Sequence, residues 1–281
     1  MDVTLSEEAT LDLASLSHVG TERENNEDAC GLFVEAGDSC VVAVADGVSS
    51  YPGGEVASQL AVDAVIRAFR EEPASAAAGQ RLYRAVQQAN IDVHDRAITV
   101  PELRGMATTL TAVALERGEL TAVHVGDSRL YLVRDGAATQ LTKDHTVAAE
   151  KVRFGILSKE RARHHGDRAV LTRCLGRELI VSRDRLTRRV SQGDVLLLCT
   201  DGLHTVLDDA EIAALVSGRD AAGACRALVD AANAKGTPDN LGAAVIRLSG
   251  AVPEVAGPDG IAARMRRFLT GTSTRSSPRT S

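Results

Sequence analysis

Three apolar runs in this sequence end on an aspartate: VVAVADG (41–47), AVHVGDS (122–128) and VLLLCTDG (195–202). A carboxylate at the end of a buried strand costs on the order of several kcal/mol to desolvate unless a counter-charge meets it. Glu27 and Asp28 of NNED and Asp239 of PDN add further acids, and few basic residues lie beside any of them in sequence. A shared divalent cation would resolve the repulsion. Carboxylates without clustered Cys or His favour a hard ion, Mg2+ or Mn2+, over zinc. Gly47 and Gly202 would let the backbone come close enough to offer a carbonyl as a ligand. For any one site, an Asp-Gly turn closing a strand is a sufficient explanation. The combination, in this order, points to metal chemistry.

The runs need stiff supports. β-prone segments occur at 11–19, 29–34, 40–45, 108–115, 120–125, 129–134, 180–190, 195–200 and 242–248, several joined by turn residues (118–120, 126–128, 134–136). Such spacing predicts antiparallel neighbours. Alanine-rich amphipathic stretches at 54–70 and 76–98 predict two long helices, with Pro73 and Gly79 marking their separation, and helical patterns return at 209–216 and 220–234. Strands and helices do not alternate one for one. The expected fold is therefore α+β, with two packed antiparallel sheets flanked by helices on both sides. The charged, weakly patterned segment 143–168 reads as a mobile helical excursion between strands.

Composition narrows the classes. Aromatics are 2% with no tryptophan, and the net charge is -6, which leaves neither stacking platforms nor a basic stripe for nucleic acid. Five scattered cysteines without a C-x-x-C pair argue against a disulfide framework and a zinc site, and for a reducing cytosol. No signal peptide and no apolar stretch of about 18 residues is present, so a cytoplasmic protein without a membrane span is expected.

The series RENNED (23–28), VADG (44–47), GMATTLTAV (105–113), VGDSRLYLVRDG (125–136), LTKDHT (141–146), LLCTDGL (197–203) and PDN (238–240) closely resembles the metal-dependent protein phosphatases of type 2C, the PPM family, in its bacterial branch. The resemblance covers roughly 10–248. It implies a catalytic domain over 1–249 with the α-β-β-α sandwich and two Mn2+ or Mg2+ ions at one edge. By motif position Asp46 would bridge both ions, the Gly47 carbonyl would ligate one, and Asp201 and Asp239 would complete the other's shell. Asp28 would be a further metal contact, directly or through water, with Glu27 and Asn240 supporting the ligands. Arg23 would hold the substrate phosphate, and Asp127 with Asp201 would take a weaker third ion. The implied activity is hydrolysis of phosphoserine and phosphothreonine on proteins by metal-activated water, opposing a bacterial Ser/Thr kinase.

The chain departs from that pattern at several points. Val48, Ser49, Ser50 and Tyr51 follow the ADG motif where many relatives have a glycine pair and a nearby histidine, which leaves the leaving-group acid unassigned. Thr205 stands where many relatives carry an acid supporting the third ion, and Ala107 replaces a glycine. Thr205 and the missing histidine are the support for an alternative, a low-turnover regulatory or binding module on the same metal-binding fold. Thr108, Thr109 and Cys199 read as structural, and His124, His164 and His165 as surface or core residues. The Ser/Thr-rich basic tail, 250–281, reads as largely disordered, with a frayed helix over IAARMRRFL the simplest reading of its start. The sequence leaves the oligomeric state open, with a monomer favoured.

Overall fold

The computed structural model describes residues 10–35 and 39–249; the expected tail at 250–281 lies outside the described residues. The strands are β1 (Thr10–His18), β2 (Asp28–Val34), β3 (Cys40–Asp46), β4 (Leu110–Glu116), β5 (Glu119–Val125), β6 (Arg129–Arg134), β7 (Ala137–Gln140), β8 (Asp184–Arg189), β9 (Val195–Cys199) and β10 (Leu241–Ser249). They form two five-stranded sheets, ordered β1-β10-β9-β6-β7 and β2-β3-β4-β5-β8, with every pairing antiparallel. The helices are α1 (Gly54–Glu71), α2 (Ala78–Thr99), α3 (Val147–Arg153), α4 (Lys159–Arg163), α5 (Asp201–His204), α6 (Asp209–Val216) and α7 (Ala221–Ala234).

The uniform apolar runs have a simple cause. In β3, Val42 and Val44 point between the sheets while Val41, Ala43 and Ala45 pack under α1 and α2. In β9, Leu196 and Leu198 enter the sandwich while Val195, Leu197 and Cys199 pack under α6 and α7. Both faces of these strands are covered, so alternation disappears and each strand reads as a continuous run. The result is a four-layer α-β-β-α sandwich, as expected.

Two short hairpins carry the expected turn chemistry. Arg117–Gly118 joins β4 to β5, and Asp135–Gly136 joins β6 to β7; all four residues have positive φ. That is the conformation of a two-residue loop whose twist matches the strands it connects. Strand β7 and the single turn α5 were not anticipated. β7 is four residues of mixed polarity on a sheet edge, and α5 is too short for a periodic signal. The excursion at 143–168 is helical, as expected, containing α3 and α4.

Candidate metal centre

The two sheets bring their chemically loaded ends together at one rim. Asp46 ends β3 directly opposite Asp28, the first residue of β2, in the antiparallel register. Asp201 opens α5 two residues after β9, and Asp239 precedes β10, the neighbour of β9. Thr200 ties one sheet to the other: its hydroxyl donates to Asp28 Oδ2 at 2.7 Å and accepts from the Gly242 amide at 2.8 Å. The Asp28 and Asp127 side chains are buried, while Asp46 and Asp201 keep partial solvent access.

Backbone contact at this rim requires small residues. A methyl group on Gly47 would lie 2.3 Å from the Gly54 carbonyl oxygen, and one on Gly202 would lie 2.0 Å from that of Asn240. The glycine after each of these aspartates therefore serves close approach, as the sequence suggested.

Electrostatics define what the cluster needs. Burial pushes the Asp46 carboxyl well above the usual range, and the charges of Asp28, Asp201, Asp127 and Asp239 push it further. Asp28 is raised by burial and by Asp201, Asp239 and Glu27, against the lowering effect of the Thr200 hydrogen bond. Asp127 is raised by burial and then by Asp201 and Asp144; Asp201 is raised to about 6 by burial and Asp239. Carboxylates this mutually repulsive call for positive charge, and their hard oxygen donors fit Mg2+ or Mn2+. Among the described residues no three acidic, His or Cys side chains close around a single point.

Each remaining candidate has a definite place. Arg23 donates from Nη2 to Asp239 at 3.0 Å and from Nε to the Pro238 carbonyl at 3.2 Å, and it is partly exposed. It therefore stands at the cluster's solvent edge, in an ion pair not apparent from sequence neighbours. Asn240 accepts from the Glu27 amide at 2.9 Å and donates to the Val19 and Asn25 carbonyls, clamping the loop before Asp28 to the turn that holds Asp239. Glu27 accepts from Ser49 Oγ at 2.5 Å and lies against Gly54 at the amino end of α1. Asp127 is buried, and the charge of Asp201 adds to the effect of burial on its carboxyl. Thr205 donates to the Asp201 carbonyl at 2.7 Å and brings no carboxylate.

Sequence reasoning undervalued Thr108 and Thr109. Thr109 Oγ1 accepts from the Asp46 amide at 3.0 Å and meets Ser128 Oγ at 2.6 Å, while Thr108 Oγ1 donates to the Asp46 carbonyl at 2.8 Å. The pair fixes the backbone that carries Asp46, and buried threonines next to a strand end are the signal that could have shown it. Cys199 is core as expected, its thiol pushed up to about 12 by burial. His124 is a buried neutral residue, lowered to about 4 by burial and the neighbouring His145 ring, whose centroid lies 4.7 Å away.

Asp144 is a structural anchor beneath the excursion. Arg129 donates to its carboxylate from Nε at 3.0 Å and Nη2 at 2.7 Å, and from Nη1 to the Tyr131 hydroxyl at 2.9 Å. Burial alone would raise the Asp144 carboxyl, but the hydrogen bonds and charge of Arg129 hold it below its ordinary 3.8. Its stabilisation is thus complete above that value and lost as pH falls through the lower folded value. Asp144→Asn is expected to cost about 3 kcal/mol at neutral pH, the lower end for breaking a buried pair. Urea unfolding checks it: the deficit should shrink below pH ~3.8, where wild type also loses the charge.

A family model described as protein phosphatase 2C matches residues 17–245 of the chain. The chain belongs to this family. It is a metal-dependent protein phosphatase. It is 34% identical over 226 residues to the serine/threonine phosphatase stp of Listeria innocua, an alignment covering 79% of this chain and 90% of that one. The crystal structure of the Mycobacterium tuberculosis serine/threonine phosphatase PstP/Ppp superposes with a TM-score of 0.77 at 34% identity, covering 85% of this chain and 99% of that one. The catalytic domain of PstP in complex with two manganese ions gives a TM-score of 0.75 at 32% identity over 86% of this chain and 99% of that one. The PPM family, the fold and the enzyme class expected from the motifs are all supported by these likenesses. No helix among the described residues is long and apolar enough to cross a membrane.

Proposed function

We propose that this phosphatase hydrolyses phosphoserine and phosphothreonine on proteins, reversing the action of a bacterial Ser/Thr kinase. The observation that carries the reading is the convergence of mutually repelling carboxylates from both sheets at one rim, with an arginine at its solvent edge. Asp46, Asp201, Asp239, Asp28 and the Gly47 carbonyl would hold two Mn2+ or Mg2+ ions, with Asp127 and Asp201 taking a weaker third. When bound, the ions supply Lewis acidity toward water and toward the phosphate oxygens.

The chain's own residues do the positioning. Thr108 and Thr109 bond the carbonyl and the amide of Asp46 and so fix the backbone that carries its carboxylate. Thr200 aims Asp28, and Asn240 locks the loop carrying Glu27 and Asp28 to the Asp239 turn. Arg23 offers guanidinium N–H groups to phosphate oxygens, where charge builds as the leaving oxygen departs. Its present contacts with Asp239 and Pro238 keep it at hand. Cys199 is not the nucleophile: it is buried in the core under α6 and α7, its thiol pushed up to about 12 by burial.

The test is hydrolysis of p-nitrophenyl phosphate and of phosphothreonine peptides with and without Mn2+. Metal-dependent turnover of both is expected, abolished by EDTA. Metal binding without turnover would instead favour the regulatory module.

A further inference from the structure

A groove of about 630 Å³ is lined by none of the rim's carboxylates and has no part in the reaction described above. Tyr51, His94, Ile98, Pro101, Arg104 and Arg177 supply most of its wall, and no Asp or Glu lines it. Arg177 donates to the Tyr51 hydroxyl at 3.2 Å, with its guanidinium carbon 5.4 Å from the ring centroid. Arg104 and Arg177 are exposed, and among the described residues neither is drawn into an ion pair with a carboxylate. In a chain of net charge -6, two guanidiniums without a carboxylate partner form a local exception, beside the His94 imidazole, whose Nδ1 lies 3.5 Å from Asp95. Ile98, at 67% exposure, adds apolar surface to the groove.

The groove is tied rigidly to the catalytic strand. Tyr51 lies five residues after Asp46, hence at most roughly 18 Å from it. The Val48 amide donates to the Ala107 carbonyl, and the Tyr51 amide to that of Val48, so this connection is folded and hydrogen-bonded. On the other wall, Leu175, two residues before Arg177, bridges to Thr108, whose hydroxyl holds the Asp46 carbonyl. A substrate chain extended from the rim at 3.3–3.6 Å per residue would reach the groove within about five residues.

We propose that this groove binds a second phosphorylated residue of the substrate, within about five residues of the phosphate being removed. The inference rests on the phosphatase reading above and adds the substrate class: proteins phosphorylated at closely spaced sites. A phosphate carries a charge of about -1.5 to -2 and several acceptor oxygens, which matches two guanidiniums better than a single carboxylate does. The hydroxyl and ring of Tyr51 together restrain that guanidinium.

The test uses the full-length protein with Mn2+ and three sets of phosphothreonine peptides. The sets carry alanine, glutamate or a non-hydrolysable phosphonate analogue of phosphoserine at each position up to five residues either side. The phosphonate is expected to raise kcat/KM about 10- to 100-fold at a preferred spacing, the range of a charge-assisted hydrogen bond. Arg104→Gln with Arg177→Gln should remove that gain while leaving p-nitrophenyl phosphate hydrolysis unchanged, which also shows that the variant is folded. An equal gain from glutamate would overturn the assignment to phosphate, and a gain retained in the double variant would overturn the groove. Wild-type protein inert toward p-nitrophenyl phosphate as well as the peptides would overturn the phosphatase reading with it.

Discussion

Asp46→Asn is expected to lower phosphatase turnover by at least about 100-fold, because removing even a supporting partner of a metal ligand costs 10- to 100-fold. The same change should raise the melting temperature of the protein in EDTA. Asp46 faces Asp28 across the strand pair and feels the charges of Asp201, Asp127 and Asp239, so without a cation its carboxylate destabilises the fold. Asparagine keeps the shape and removes the charge. Relief of about 1 kcal/mol would move the midpoint of a domain this size by roughly 2–4 °C. Wild type should then gain more stability from added Mn2+ than the variant does, since stabilisation by a ligand rises with the logarithm of its concentration over Kd. Calorimetric scans with EDTA and with Mn2+, beside a turnover assay, separate the roles. A variant that is active would remove Asp46 from the centre. One that melts lower in EDTA and ignores Mn2+ alike would make it a structural residue.

That opposition between stability and function explains why so much of the site was legible before any coordinates. A carboxylate at the end of a strand buried on both faces is a local inconsistency, and proteins keep such inconsistencies where they are used. VVAVADG and VLLLCTDG carry the conflict openly, and order along the chain did the rest. The supporting contacts were harder to read, because they join residues distant in sequence. Thr200 reaches Asp28 across 172 positions, and Asn240 reaches Glu27 across 213. Nothing in PDN or LCTDG says that an amide and a hydroxyl will meet the opposite sheet. The Arg23–Asp239 pair was hidden for the same reason. β7 was missed because a four-residue edge strand with alternating half-exposed positions has almost no apolar signal. The groove could not be read at all, since Tyr51, the stretch from His94 to Gly105 and the Gly176–Arg177 pair contribute to it from three separate parts of the chain.

Arg23→Ala is expected to reduce kcat/KM toward phosphopeptides by about 10²- to 10³-fold, the loss that follows removal of one donor aimed at developing charge. The structure raises a competing explanation that the experiment must separate. Arg23 is hydrogen-bonded to Asp239 and to the Pro238 carbonyl, so its loss could disorder a metal ligand instead of a phosphate site. The two cases differ in their dependence on metal. If Arg23 chiefly orders the Asp239 turn, the variant binds Mn2+ weakly and saturating Mn2+ restores its rate. If Arg23 holds the phosphate, the loss persists at saturating Mn2+, and removing the guanidinium frees the Asp239 carboxylate without hurting metal affinity. The second outcome is expected, because Asn240 already secures the turn through its own amide, which donates to Asp239 Oδ1 at 2.9 Å, and through its side chain. Arg23→Lys should recover only part of the rate, since an ammonium supplies charge without the paired N–H geometry of a guanidinium. Full rescue of the alanine variant by Mn2+ would move Arg23 from the substrate to the metal side of the site.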